Sequence, residues 1–92
     1  MANRILIKGE EIDIPVSSGT ASSITGASVV RLTNEHTTNI RVVTVVAAPS
    51  GTIVGSFSIL PRTVEYLEKK NSEYIHVDAG SDIKGAKVGF TN

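Results

Sequence analysis

The sequence predicts an all-β protein, a single antiparallel β-sandwich of seven to eight short strands with jelly-roll or immunoglobulin-like connectivity. Three observations predict it. Apolar residues recur at intervals of two rather than at helical spacing. The apolar runs are dominated by Val, Ile and Thr, whose branched side chains suit a pleated surface. Clusters of Gly, Pro, Asn, Asp and Ser separate the runs at about eight to twelve residues, which leaves no helix long enough for the crossovers of a parallel sheet.

Taken in order, Ile5 and Ile7 form a short apolar alternation, and Lys8-Gly9-Glu10-Glu11 is placed to close a hairpin onto the next. There Ile12, Ile14 and Val16 alternate with Asp13 and Pro15, a half-buried strand whose proline belongs at a sheet edge or strand end. Residues 17–26 are nearly all Ser, Thr, Gly and Ala; they offer little to bury and are expected to be a flexible loop, ordered by a neighbour if at all. Ser28 to Thr33 reads as a strand with Val30 and Leu32 inward, and the polar stretch Asn34 to Asn39 as the turn after it.

The longest apolar run is Ile40 to Ala48. Both of its faces, Val42/Thr44/Val46 and Val43/Val45/Ala47, are largely apolar, so the strand is expected to be central or covered by another subunit. Pro49-Ser50-Gly51 supplies a fixed φ and then a residue tolerant of positive φ, the order a tight hairpin turn needs. Thr52 to Ile59 returns from it, with Ile53, Gly55, Phe57 and Ile59 on one face. Leu60-Pro61-Arg62 makes a corner before Val64 to Leu67, and Glu68-Lys69-Lys70-Asn71 reads as a charged turn. Tyr74 to Val77 is a short strand, Asp78 to Asp82 its turn, and Ile83 to Phe90 the last strand, with Ala86, Val88 and Phe90 on one side.

Composition bounds the function. At 92 residues, with no internal shift in composition, one domain spanning 1–92 is expected. Ordering costs about 1.5 kcal/mol per residue, which a core of this size offsets narrowly. Small domains are reinforced by disulfides, metals or association; the chain has no cysteine and no convincing metal cluster, so association is the reinforcement left, and a homo-oligomer or a marginally stable monomer is expected. Nine Lys plus Arg balance nine Asp plus Glu and are scattered, which argues against a nucleic-acid partner. The apolar stretch of Met1 to Lys8 stops after three residues, too short for a signal-peptide core or a membrane span. The chain is therefore expected to stay in the cytosol until it assembles, with no membrane partner.

No residue pattern favours catalysis. His36 sits in a polar turn and reads as a solvated turn residue; His76 shares a strand face with Tyr74 and reads as a packing residue. Asp78-Ala79-Gly80-Ser81-Asp82 resembles an acidic calcium loop but lacks the further oxygen ligands and the bidentate Glu, so a plain Asx-type turn accounts for it better. Gly55-Ser56-Phe57-Ser58 alternates like a strand and presents no strained nucleophile elbow. Lys84-Gly85-Ala86-Lys87-Val88-Gly89 lies in a strand pattern rather than ahead of a helix, so it makes no phosphate loop. Aromatic residues are 4% of the chain, too few for a stacking platform on sugar or single-stranded nucleic acid. The expectation is a non-enzymatic protein with no catalytic residue, no cofactor and no metal site.

From Ser28 onward the order of segments resembles small structural proteins of marine tailed bacteriophages, cyanophages in particular. The segments that carry the resemblance are Ala27-Ser28-Val29-Val30-Arg31-Leu32-Thr33-Asn34, Thr52-Ile53-Val54-Gly55-Ser56-Phe57-Ser58-Ile59, Thr63-Val64-Glu65-Tyr66-Leu67-Glu68-Lys69 and Ile83-Lys84-Gly85-Ala86-Lys87-Val88-Gly89-Phe90-Thr91-Asn92. The resemblance implies a virion component without enzymatic residues. Its place would be the capsid surface, as a decoration or cement protein on the major capsid protein, or else the neck, tail or fibre. A host-adhesion or ligand-binding module using the 17–26 loop is the reading from another class. A cement protein bridges neighbouring subunits and needs adhesive edges, and the segment Arg4 to Lys8 can supply one. Arg4, Ile5, Ile7 and Lys8 are the candidate protein-interface residues; the competing account pairs Ile5 and Ile7 within the chain's own sheet.

Overall fold

Branched apolar side chains at every second position leave each strand one face to bury, and two sheets stacked face to face satisfy that demand. The computed structural model describes residues 4–80 and 82–91. Its strands are β1 (Arg4–Ile7), β2 (Ile12–Asp13), β3 (Val29–Asn34), β4 (Arg41–Val46), β5 (Ile53–Ile59), β6 (Val64–Glu68), β7 (Tyr74–Val77) and β8 (Ile83–Thr91), with one 3-10 turn at Ser18–Thr20. All pairings are antiparallel. One sheet has the order β1-β8-β3-β6, with β2 also on β8; the other has the order β5-β4-β7.

The pairings nest. β1 and β2 lie on β8, β3 lies on β6, and β4 lies on β5. Between β2 and β3 the chain runs beside β7, where the Pro15 carbonyl accepts from Val77 N–H and Ser22 exchanges both backbone bonds with Ile75. The chain is thus one long hairpin, with its tip between β4 and β5, rolled into two sheets. That is jelly-roll connectivity, one of the two topologies the sequence left open.

Between the sheets lie Ile14, Ile24, Ala27, Val30, Leu32, Val43, Val45, Ile59, Ile75, Val77 and Ile83, with Phe57 and Leu67 packed against them. Val30 and Leu32 point inward as their alternation requires. β4 is central in its sheet: Val43 and Val45 face the core, while Val42 and Thr44 on the other face are half-buried.

Three sequence expectations are corrected. Ile5/Ile7 and Ile12/Ile14 do not close a hairpin. Ile7 pairs Val88 and Ile12 pairs Gly85, so residues 8–11 bulge out opposite residues 86–87, and β1 and β2 run collinearly along β8. The 17–26 loop is not short of burial: Ile24 is 2% exposed and Ala21 is buried with it. Its serines also close local turns, Ser17 Oγ accepting from Gly19, Ser22 Oγ from Ile24 and Ser23 Oγ from Gly26. At the β4–β5 tip Gly51 N–H bonds the Ala48 carbonyl, but Ser50 takes the positive φ, 58°. Gly51 is needed for closeness instead, because a Cβ there would lie 2.8 Å from the Ala48 carbonyl oxygen. Ala86 and Val88 share one side of β8 as expected, and it is the sheet's outer side: Leu32 faces the core and pairs Gly85, which fixes the odd-numbered residues of β8 inward. The Phe90 side chain lies outside the described residues.

Candidate interaction surface

A strand at the end of a sheet offers a row of backbone donors and acceptors to any chain that can lie beside it. Three edges have no partner strand among the described residues: the outer sides of β1, β5 and β6. The fourth, on β7, is covered by the chain from Pro15 to Ser22.

β1 carries the candidate interface residues. Arg4 is placed by its backbone opposite Thr91, Ile5 opposite Phe90 and Ile7 opposite Val88. One side of β1 is therefore used within the chain's own sheet, which is the competing account of Ile5 and Ile7, and the other side has no partner strand among the described residues. Pairing does not bury the side chains. Ile7 is 62% exposed, with Ile5 and Leu6 exposed as well, because β3 begins at Val29 and does not extend beside the end of β8 that β1 covers. Lys8 lies along Gly89, its Cε 3.1 Å from where a Cβ would stand, and the residue is exposed.

The β5 edge is apolar too. Ile53 is 66% exposed and Val54 is exposed beside it. The face expected to be shared by Ile53, Gly55, Phe57 and Ile59 is broken at a bulge: Val45 pairs Gly55 and Val46 pairs Ile53, which leaves Val54 without an opposite residue and turns Ile53 to the other side. On β6, Val64 and Tyr66 are exposed, interleaved with the carboxylates of Glu65 and Glu68.

The charged groups that sequence singled out serve the fold. The Arg41 guanidinium donates to Asp82 from Nη2 at 2.8 Å and Nε at 3.2 Å; this bond, more than the Lys84 charge nearby, holds the Asp82 carboxyl below the usual range. Asp78 accepts from Val42 N–H. Both carboxylates of the acidic turn therefore reach across to β4. Lys84 donates to Asp13, which raises the Lys84 ammonium above its ordinary value. His36 is more than a solvated turn residue, since its Nδ1 accepts from the backbone of Thr38 and Asn39 at 3.0 and 2.9 Å. His76 sits opposite Thr44, with Nδ1 buried and without a hydrogen-bond partner among the described residues.

One buried ion escaped the sequence reading. Lys69, expected in a solvated turn, is 6% exposed, and its ammonium donates to the carbonyls of Ala27 at 2.6 Å, Glu73 at 2.8 Å and Lys70 at 3.4 Å. Burial lowers its affinity for the proton and Glu73 partly restores it. Its only signal in the sequence was its place straight after an alternating strand. Among the described residues no three His, Asp or Glu side chains gather as metal ligands, and no helix is long and apolar enough to cross a membrane. Compared with protein-family models, with curated proteins and with solved structures, the chain matches none.

Proposed function

We propose that the protein is a structural subunit of a bacteriophage particle, placed on the capsid surface as a decoration or cement protein that bridges neighbouring subunits of the major capsid protein. The observation that carries the reading is the pairing of open sheet edges with exposed apolar side chains: Ile5, Leu6 and Ile7 on β1, Ile53 and Val54 on β5, Val64 and Tyr66 on β6. Strand addition to such edges supplies backbone hydrogen bonds, and the apolar side chains beside them supply buried area. Many copies in a shell let individually weak contacts add. Jelly-roll connectivity supports the reading more loosely, since viral capsid domains and lectins share it.

Copy number tests the assignment. Quantitative mass spectrometry of purified particles, referenced to the major capsid protein, is expected to count hundreds of copies. A handful or a dozen would move the subunit to the neck, tail or fibre, and absence from the particle would remove the structural reading.

A further inference from the structure

The path β1-β8-β3-β6 ends in two unlike edges. At β1 the Lys8 N–H bonds the Lys87 carbonyl, so the even-numbered residues turn their peptide groups toward β8 and those of Ile5 and Ile7 point outward. At β6 the Thr63 carbonyl and the Lys69 N–H bond Asn34 and Ser28 on the β3 side, so the peptide groups of Val64, Tyr66 and Glu68 point to the outer edge. The edges also differ in charge. Arg4 and Lys8 flank the apolar residues of β1, whereas Glu65 and Glu68 interrupt those of β6. Lys8, Glu65 and Glu68 form no ion pair among the described residues.

We infer that the β1 edge of one copy adds to the β6 edge of a second copy, extending the larger sheet head to tail through the assembly. This rests on the reading of the protein as an assembling subunit and names one of its partners. Strand direction permits it: β1, β8, β3 and β6 alternate, so β1 and β6 run oppositely, and a second copy in the same orientation sets its β6 antiparallel to β1.

Register then follows from two requirements, that core sides match and that outward peptide groups meet. On β6 the core side is Glu65 and Leu67, which pair Leu32 and Val30. On β1 it is Leu6, opposite Gly89, with Lys8 along the same glycine. Ile5 opposite Glu68 then takes a hydrogen-bonded position, and Leu6 opposite Leu67 and Lys8 opposite Glu65 take the intervening ones. In an antiparallel ladder those intervening pairs bring side chains closest, so leucine meets leucine and cation meets carboxylate at the tightest positions. A shift of two residues sets Leu6 against Glu65 in one direction and Lys8 against Leu67 in the other. Like edges fit worse. Two β1 strands centred on Leu6 set Arg4 opposite Lys8 twice, and two β6 strands centred on Tyr66 set Glu65 opposite Leu67 and gather four carboxylates.

Sedimentation velocity on the purified chain over a concentration series tests the inference. The wild-type protein is expected to form concentration-dependent assemblies. Lys8→Glu and Glu65→Lys are each expected to weaken them roughly tenfold, with unfolding temperatures unchanged because neither side chain forms an ion pair among the described residues. An equimolar mixture of the two variants should reassemble, since every β1–β6 contact between them again joins opposite charges. Variants that assemble as tightly as the wild type would overturn this edge while leaving the assembly reading in place. A wild-type chain that stays monomeric would overturn self-addition, and copy number in the particle then decides the structural reading separately.

Discussion

Lys69 shows how one residue is held against its own preference. An ammonium out of water is costly, and three backbone carbonyls from Ala27, Lys70 and Glu73 replace the hydration it loses. The arrangement ties the end of β6 to the start of β3 and to the turn before β7. Lys69→Met keeps the length of the side chain and strands the carbonyls of Ala27 and Glu73, while that of Lys70 still accepts from Glu73 N–H; an acceptor left unpaired costs about 1–3 kcal/mol. A fall in unfolding temperature of roughly 10 °C or more is expected, at about 4–8 °C per kcal/mol for a domain of this size. The proton adds a second readout. Burial lowers the folded-state value below 10.5, so from that lowered value up to 10.5 the unfolded chain holds more protons and Lys69's contribution to stability rises with pH. The stability gap between wild type and Lys69→Met should therefore widen as pH rises through that window; a gap that narrows there would refute the assignment.

At the scale of elements, the turn at residues 24–26 stands apart. Ile24, Thr25 and Gly26 have φ of 54°, 53° and 70°, a left-handed turn in which two residues are β-branched. Ile24 is held there by the core it fills, whereas Thr25 is exposed and gains no such compensation. Thr25→Asn, which tolerates this backbone, is expected to stabilise the protein by about 1 kcal/mol, read as a rise of several degrees in unfolding temperature. An unchanged or lower temperature would show that the Thr25 hydroxyl, which donates to the Ile24 carbonyl at 2.7 Å, matters more than the strain. This element also marks the limit of what the sequence made legible. Strands β3 to β8 were readable because alternation and turn residues are local signals, and Val30, Leu32 and Ile59 fell on the faces their spacing implied. The order of residues 17–26 was not, since one buried isoleucine and three serine-capped turns leave no periodicity. Nor was the path of β1 and β2, because pairing with a strand some eighty residues away is set by long-range closure rather than by neighbours. Ile5, Ile7 and Lys8 could be picked out as a candidate interface segment, yet the edge position of β6 could not: Val64 to Glu68 looks like any half-exposed strand until the strand order puts it at the end of a sheet.

For the molecule as a whole, the two sheets have to stay registered on each other, and apolar packing alone fixes that weakly because it has no direction. The Arg41–Asp82 pair supplies direction. Arg41 opens β4 in the smaller sheet, and Asp82 immediately precedes β8, the central strand of the larger one. Its two-point geometry restrains rotation as well as separation, and Asp78, bonded to Val42 N–H, anchors the same turn to the same strand. Because the bond to Arg41 lowers the carboxyl's folded-state value beneath the ordinary 3.8, the unfolded chain takes up the proton first on acidification. The contribution is therefore complete well above 3.8 and disappears as pH falls through the lowered folded value. Asp82→Asn removes the titration while keeping the shape. Its unfolding temperature is expected to lie below the wild type's near neutral pH, and the two are expected to converge as pH drops past that range, since every other carboxylate acts on both proteins alike. Calorimetric scans of the two from neutral to strongly acidic pH would decide it, and curves that stay parallel throughout would show that the sheets are held in register by something other than this pair.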